Sequence, residues 1–465
     1  MSYRKRNSLS SRQIQKASIS LKRIAITGSA FLILLVAGFI YFNFSNVKPA
    51  YAAVTGDYRS KITGPWNLAT TWERYNGTAW VGAPAAPTSA DGVIMIQSPH
   101  IVTIALPVTA DQVIINSGAQ ISLSTGITFT LANGAGIDLD VSGIFKNSGT
   151  VTIIAGAAIT YQSTGKYQHS FTAAAGTIPA ATWSTGSTCE IINTGSSTAP
   201  AGMSQTFSNF TWNCATQSAD VTLSGAPSTV SGTYSVISTG VGRKLRLAAG
   251  NATLTTANFI QSGGDFTLST SDNATTTINV SSNFSMTGGT LSFGTGKNGF
   301  CNMNITGNWL QSAGAMNIDG DKWQSAIIIN GNWSQTNGTF TGSHKQQITA
   351  ITVNGNWSQT GGTFTSIDQD QTCTFNVYGN YSHTGGTLSE AGSGSTVISF
   401  IFKDTGTQTF TASANTVTGD VNFTVNSGSI FIMGTNILKG KNFTLSSGAE
   451  LQMGSTAGIT SSGST

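Results

Sequence analysis

One phrase returns six times between Ala257 and Gly386, and it restricts the possible folds more than any other feature of the chain. It reads Ala257-Asn-Phe-Ile-Gln-Ser-Gly-Gly, Ser282-Asn-Phe-Ser-Met-Thr-Gly-Gly, Gly307-Asn-Trp-Leu-Gln-Ser-Ala-Gly, Gly331-Asn-Trp-Ser-Gln-Thr-Asn-Gly, Gly355-Asn-Trp-Ser-Gln-Thr-Gly-Gly and Gly379-Asn-Tyr-Ser-His-Thr-Gly-Gly. Its aromatic residues, Phe259, Phe284, Trp309, Trp333, Trp357 and Tyr381, follow at intervals of 25, 25, 24, 24 and 24. A period this constant marks stacked structural repeats.

Each repeat is too short to be a domain and has no helical periodicity. Around Trp357 the β-prone runs are Ile351-Thr-Val, Asn356-Trp-Ser-Gln-Thr and Thr363-Phe-Thr-Ser-Ile, and Thr372-Cys-Thr-Phe-Asn-Val opens the next repeat. Ile351 and Val353, Phe364, and Phe375 and Val377 alternate with Thr or Asn, the period of two expected of strands buried on one face. The expected fold is therefore all-β, a parallel β-solenoid (β-helix) of about 24-residue three-strand rungs. Six rungs stacked about 4.8 Å apart would extend about 29 Å. No rung can bury its apolar face alone, so stability is shared between neighbours.

The alternation points Ile351 and Val353 inward and carries Trp357 in the same phase. The aromatic series is thus read as a core ladder rather than an outer platform for sugar rings, with each buried indole N–H needing a partner. Asn308, Asn332, Asn356 and Asn380 would line a corner as an amide ladder that satisfies turn backbone groups.

The first 23 residues are basic, and Ile24 to Val47 carries no charge. Ala50-Tyr51-Ala52 follows, a small-x-small site where signal peptidase would cut after Ala52, so residues 1–52 read as a secretory signal with a long basic start. A retained membrane anchor is the alternative, since the apolar run is long enough to span a bilayer. From Ala53 onward there are 14 Lys and Arg against 18 Asp and Glu, a net charge of −4, which disfavours nucleic acid as a partner. Any membrane contact is expected only through the N-terminal segment before cleavage. The expected location is secreted or on the cell surface.

Residues 53–105 are expected to form a Trp-rich β cap. They contain Gly64-Pro65-Trp66, Thr71-Trp72, Asn76-Gly77-Thr-Ala-Trp80 and Pro87-Thr-Ser-Ala-Asp91-Gly92-Val-Ile-Met-Ile. In this order the motifs resemble the start of large secreted or surface proteins of Bacteroidota-type bacteria, and the stretch also resembles the G8 domain, a β-rich extracellular module. Gly419-Asp-Val-Asn-Phe-Thr-Val and Gly448-Ala-Glu-Leu-Gln-Met resemble the same bacterial proteins. That resemblance implies an adhesin-like exported protein with a terminal sorting domain for type IX secretion. No such domain is visible, so a fragment or another export route is expected.

Residues 106–256 read as irregular solenoid rungs with a looser insertion around Ser163 to Thr206, residues 257–402 as the regular array, and residues 403–465 as further rungs expected to continue beyond the chain. Gly-x-Ser-x-Gly, His-Glu-x-x-His, Walker and Cys-x-x-Cys motifs are absent from the sequence. Asp319-Gly-Asp321 and Asp368-Gln-Asp370 occupy equivalent loops two repeats apart. Turn chemistry is the favoured reading of these pairs, ahead of a calcium site and then of carboxylate catalysis. Apart from calcium, no cofactor is expected. Cys189 and Cys214 are separated by one rung of sequence and are the candidate disulfide, whereas Cys301 and Cys373 are separated by three and cannot meet. His100, His169, His344 and His383 share no metal-like spacing and read as surface or loop residues.

Two functions compete. A non-enzymatic structural or adhesin-like surface or matrix protein, with surface glycans or other copies of itself as partners, fits a repetitive, weakly charged chain. A carbohydrate-active enzyme or glycan-binding module on the same β-helix is the alternative. Thr-x-Thr recurs in several strands and admits an ice-binding face, but along the sequence these threonines do not fall into a single column.

Overall fold

The computed structural model describes residues 51–294, 297–318, 324–342, 348–366, 372–392, 396–413, 416–454 and 459–461. The chain divides into Met1–Ala53 and Val54–Thr465. The second unit is a β-solenoid of stacked coils with parallel strands. Among the described residues the only helical element is the 3-10 turn Ala69–Thr71. None of them forms a helix long and apolar enough to cross a membrane.

Each regular coil has three faces. The first carries strands such as Ile348–Val353 and Thr372–Val377, paired Ile351 to Phe375 and Val353 to Val377. The second begins at the repeated aromatic residue, and the third follows a bend. Trp357–Ser366 spans both of these faces, with register shifts around Thr360 where it turns the corner. Alternation decides which side chains go inward: Ile351, Val353, Trp357 and Phe364 are fully buried, while Thr352 and Ser358 lie on the outer side. Repeated apolar positions stack on themselves, and each coil supplies the apolar floor that the next one lacks.

The bend between the second and third faces requires glycine. Gly362 has φ +73° and lies over the bend of the coil before it, where a Cβ would stand 2.5 Å from the carbonyl oxygen of Gly338. Gly264, Gly289, Gly314, Gly338 and Gly386 take the same left-handed conformation in their own coils. A side chain at any of them would add backbone strain to a collision with neighbouring backbone.

The N-terminal coils follow the same path with variable length. One inward column on the second face runs through Val102, Ile121, Phe145, Tyr167, Cys189, Phe210, Tyr234 and Phe259. It continues through Phe284, Trp309, Trp333, Trp357 and Tyr381 to Phe410. The step from Val102 to Ile121 is the shortest and that from Tyr381 to Phe410 the longest, yet no member of the column is more than 3% exposed. Residues 163–206, read from sequence as a looser insertion, supply Lys166–Ser170 and Thr188–Asn193 to this face, in register up to a shift between His169 and Ser170. The irregularity lies in the connecting legs, where Thr177 and Ala201 form an isolated bridge.

At the start of this unit, Tyr58–Ser60, Trp72–Tyr75 and Trp80–Gly82 form an antiparallel meander, and Tyr58 also pairs in parallel with Ile94. Trp66 and Trp72 meet edge to face at 5.0 Å and are buried. Their indole N–H groups donate to the carbonyls of Pro87 (3.0 Å) and Trp66 (2.8 Å), respectively. Trp66 also approaches Phe129 at 6.3 Å, which continues the cap into the solenoid core. Arg59 bonds Glu73 at 2.8 Å and lies 4.5 Å over the Trp80 ring, tying the outer strand of the meander to the inner one.

Candidate functional site

The most conspicuous repeated residues face inward. Phe259 and Phe284 stack at 5.2 Å, Phe284 and Trp309 at 4.3 Å, Trp309 and Trp333 at 4.8 Å, and Trp357 and Tyr381 at 4.6 Å, with interplanar angles of 5°, 22°, 4° and 6°. None of these rings is more than 1% exposed, so they offer no surface to a sugar. The indole nitrogens of Trp309, Trp333 and Trp357 have no hydrogen-bond partner among the described residues.

Two positions after the aromatic residue is a buried polar column to which the sequence reading gave no role: Gln261, Gln311, Gln335, Gln359 and His383, with Met286 as the apolar exception. The amide of Gln359 donates to the carbonyls of Gly362 (3.4 Å) and of Thr387 in the next coil (3.2 Å). Gln261, Gln311 and Gln335 repeat the pattern at their own bends. The glutamine thus clamps the glycine bend and joins adjacent coils. Its recurrence two residues after four of the six aromatics was the available signal.

At the corner before the aromatic, Oδ1 of Asn308, Asn332 and Asn356 accepts the backbone N–H of Asn332, Asn356 and Asn380, each at 2.8 Å, and Oδ1 of Asn380 accepts that of Thr409. The ladder therefore runs from side chain to backbone. Direct amide-to-amide pairs occur elsewhere, from Asn304 to Asn279 (2.9 Å) and from Asn354 to Asn330 (2.8 Å).

The groups that could support chemistry are mostly built into the scaffold. Asp319, Asp321, Asp368 and Asp370, the calcium candidates, lie outside the described residues, as does His344. Ala52, at the expected cleavage site, is exposed and outside regular structure. Cys189 and Cys214 are free and buried. The coil that follows Cys189 is shorter than the regular repeat, so Cys189 stacks on Phe210 and Cys214 falls beyond the end of that strand. Cys301 and Cys373 share one inward column with Ser325 and Thr349 between them. Burial pushes all four thiols up, Cys301 to about 12, so none is a ready nucleophile.

His169 and His383 are buried, not surface residues as their spacing had suggested. His169 Nε2 lies 2.7 Å from the Ala175 carbonyl, which can only accept, so this nitrogen carries the proton and Nδ1 accepts from Tyr167 Oη at 3.1 Å. Asn147 in turn donates to Tyr167 Oη at 3.0 Å. Desolvation lowers both histidines to about 4.

Two carboxylate clusters occur in the irregular coils. Asp138 is fully buried, and its oxygens accept the N–H groups of Gly134 and Ala158, each at 2.7 Å, while the Asp111 carboxyl acts on it from nearby. Burial, first, and the Asp138 carboxyl raise the pKa of Asp111. On the second face Glu190 accepts from Lys166 (3.0 Å), Gln168 (3.1 Å) and Asn213 (3.2 Å). These donors together outweigh its desolvation, the largest single effect, and hold its pKa below the usual value. Asp138 and Glu190 are thereby engaged in joining coils.

What remains for function is the outer surface. The third face sets Thr290, Ala315, Thr339, Thr363, Thr387 and Thr416 in one column, and Asn317, Thr341, Thr365, Ser389 and Thr418 in another that starts from the buried Ser292. The register overturns the sequence expectation that these threonines fail to align. The first face aligns Asn302, Ala326, Ala350, Thr374, Ser399 and Asn422, and the second aligns Ser285, Leu310, Ser334, Ser358, Ser382 and Thr411. Among the described residues from 275 to 402, Lys297 and Glu390 are the only Lys, Arg, Asp or Glu. The described columns of the array are hydroxyl, amide and methyl groups with no charged member. No sequence family, curated protein or solved structure matches the chain.

Proposed function

We propose that this protein is an exported, non-enzymatic structural component of the adhesin or matrix type, a solenoid that displays an uncharged polar surface outside the cell. The observation that carries this reading is the repetition of Thr and Ser, in register, on the outer side of the second and third faces. Repetition multiplies a weak contact along the solenoid axis, whereas catalysis needs one irregular place. The candidate partners are surface glycans or other copies of the protein. Export is supported by the basic and apolar leader ending in Ala50-Tyr-Ala52 and by the resemblance of residues 56–104 to Bacteroidota surface proteins.

Two measurements test the reading. N-terminal sequencing of protein shaved from intact producing cells should begin at Ala53, and protein found only inside the cell refutes export. Purified protein applied to a glycan array, with calcium and with chelator, should bind through many weak contacts and leave every glycan intact. Turnover of a glycan, or capture that depends strictly on calcium, supports the carbohydrate-active reading instead.

A further inference from the structure

Four successive coils of the third face carry a hydroxyl at both outward positions: Thr339 and Thr341, Thr363 and Thr365, Thr387 and Ser389, Thr416 and Thr418. Between each pair a buried side chain, Phe340, Phe364, Leu388 or Val417, anchors the strand from below. Every hydroxyl residue of the strip is exposed or half-buried. From Thr290 to Thr418 neither column contains a charged or aromatic side chain.

The spacing limits what can sit on such a strip. Adjacent coils lie about 4.8 Å apart and alternate residues about 6.7 Å apart along a strand. Two water molecules hydrogen-bonded at about 2.75 Å to a common third, at the tetrahedral angle, lie about 4.5 Å apart. A column of threonines therefore repeats along the solenoid at nearly the second-neighbour distance of tetrahedrally bonded water, and at its last step the Thr418 hydroxyl donates to that of Ser389 at 3.1 Å. The methyl groups beside the hydroxyls restrict the orientations of the water between them. A charged side chain would instead organise water around itself, and the strip has none.

Other occupants fit less well. Sugar rings bind best on aromatic faces, and the repeated aromatic residues all point inward. A protein partner needs roughly 800 Å² per side for a stable standard interface, while the strip measures about 14 Å by 7 Å between its outermost positions. A periodic, neutral solid can meet every coil equivalently and does not need a large area from any one of them.

We propose that this strip is an ice-binding surface, with crystalline water as its occupant. The proposal names an occupant for one face of the display solenoid, and its test on purified protein is independent of where the protein resides. Ice crystals grown in its presence should become faceted, with a gap between melting and growth temperatures that a buffer control lacks. The double variant Thr363→Lys/Thr365→Lys should lose the gap while keeping the β-sheet spectrum and melting temperature. The control Ser358→Lys/Ser382→Lys, on the outer side of the second face, should keep it.

Round crystals without a gap in the wild-type protein overturn the proposal, and this result does not depend on any variant folding. Equal loss in the second-face control also overturns it. Retention on crystalline chitin or cellulose, with no effect on ice, overturns it in favour of a polysaccharide partner.

Discussion

Trp309 and Trp333 stack face to face at 4.8 Å and 4°, and neither indole N–H has a hydrogen-bond partner among the described residues. The two effects oppose each other. Stacking and burial of large rings stabilise, while an unpaired buried N–H costs about 1–3 kcal/mol. Replacing Trp333 with Phe removes the orphan donor and keeps an aromatic ring, as Phe284 does one coil before Trp309. The expected change in unfolding free energy is within about 1 kcal/mol, against a loss of about 3–5 kcal/mol for Trp333→Ala. Urea unfolding of both variants checks this, and equal losses would show that the indole itself is required.

Gln359 should tolerate an apolar substitute better than an acidic one. Met286 already occupies the equivalent position, so Gln359→Met gives up the bonds to Gly362, Thr387 and Gln335 at a cost of about 1 kcal/mol. Gln359→Glu sets a buried carboxylate against those same carbonyls, at a cost of about 3 kcal/mol or more. Such a group binds its proton more tightly when folded, so the loss should shrink as pH falls. Melting temperatures of the two variants at neutral and acid pH test the contrast.

The repeat, its strands and the inward phase of Trp357 could be read because every link was local: alternation fixes the face, and a constant period fixes the stack. The N-terminal coils hid the same column because their steps vary, so spacing alone matched Cys189 with Cys214 when register matches it with Phe210. His169 and His383 were misplaced because a lone histidine carries no signal of burial. Their environment comes from Tyr167 and Ala175 in one case and from the glutamine column in the other. The alignment of Thr339, Thr363, Thr387 and Thr416 was hidden for a different reason. The last step, from Thr387 to Thr416, is longer than the regular repeat, so the column appears only once strands are paired.

The cysteines should behave as buried thiols. Cys189, Cys214, Cys301 and Cys373 are free and inaccessible, and burial raises each pKa. A thiol reagent should therefore react with almost none of them in the native protein and with all four after denaturation. Reductant should leave the melting temperature unchanged. A melting temperature that drops with reductant would show that a disulfide had formed despite this register.

Acid should weaken the solenoid through its histidines. His169 and His383 are held near 4 by desolvation, whereas the unfolded chain titrates near 6.5. Between those values the unfolded state binds more protons, so stability falls as pH falls, by about 1.4 kcal/mol per pH unit for each histidine. Below about 4 the folded rings protonate too, and this contribution flattens. His383→Gln, which extends the glutamine column, should remove one of the two contributions, and an unchanged slope between pH 6 and 4.5 would contradict the assignment.

Asp111 should have the opposite dependence. Burial and the neighbouring Asp138 raise its pKa, so the folded state favours the protonated carboxyl, and stability is lost as pH rises through the unfolded value toward the folded one. Asp111→Asn keeps the shape and can donate to Asp138 at any pH, while Asp138 retains its bonds from Gly134 and Ala158. The variant should therefore melt higher than wild type at neutral pH, and the advantage should vanish at acid pH, where Asp111 is itself protonated. A melting curve for each protein at both pH values decides the matter. A variant less stable at neutral pH would mean that the charge of Asp111, rather than its proton, is what the fold uses.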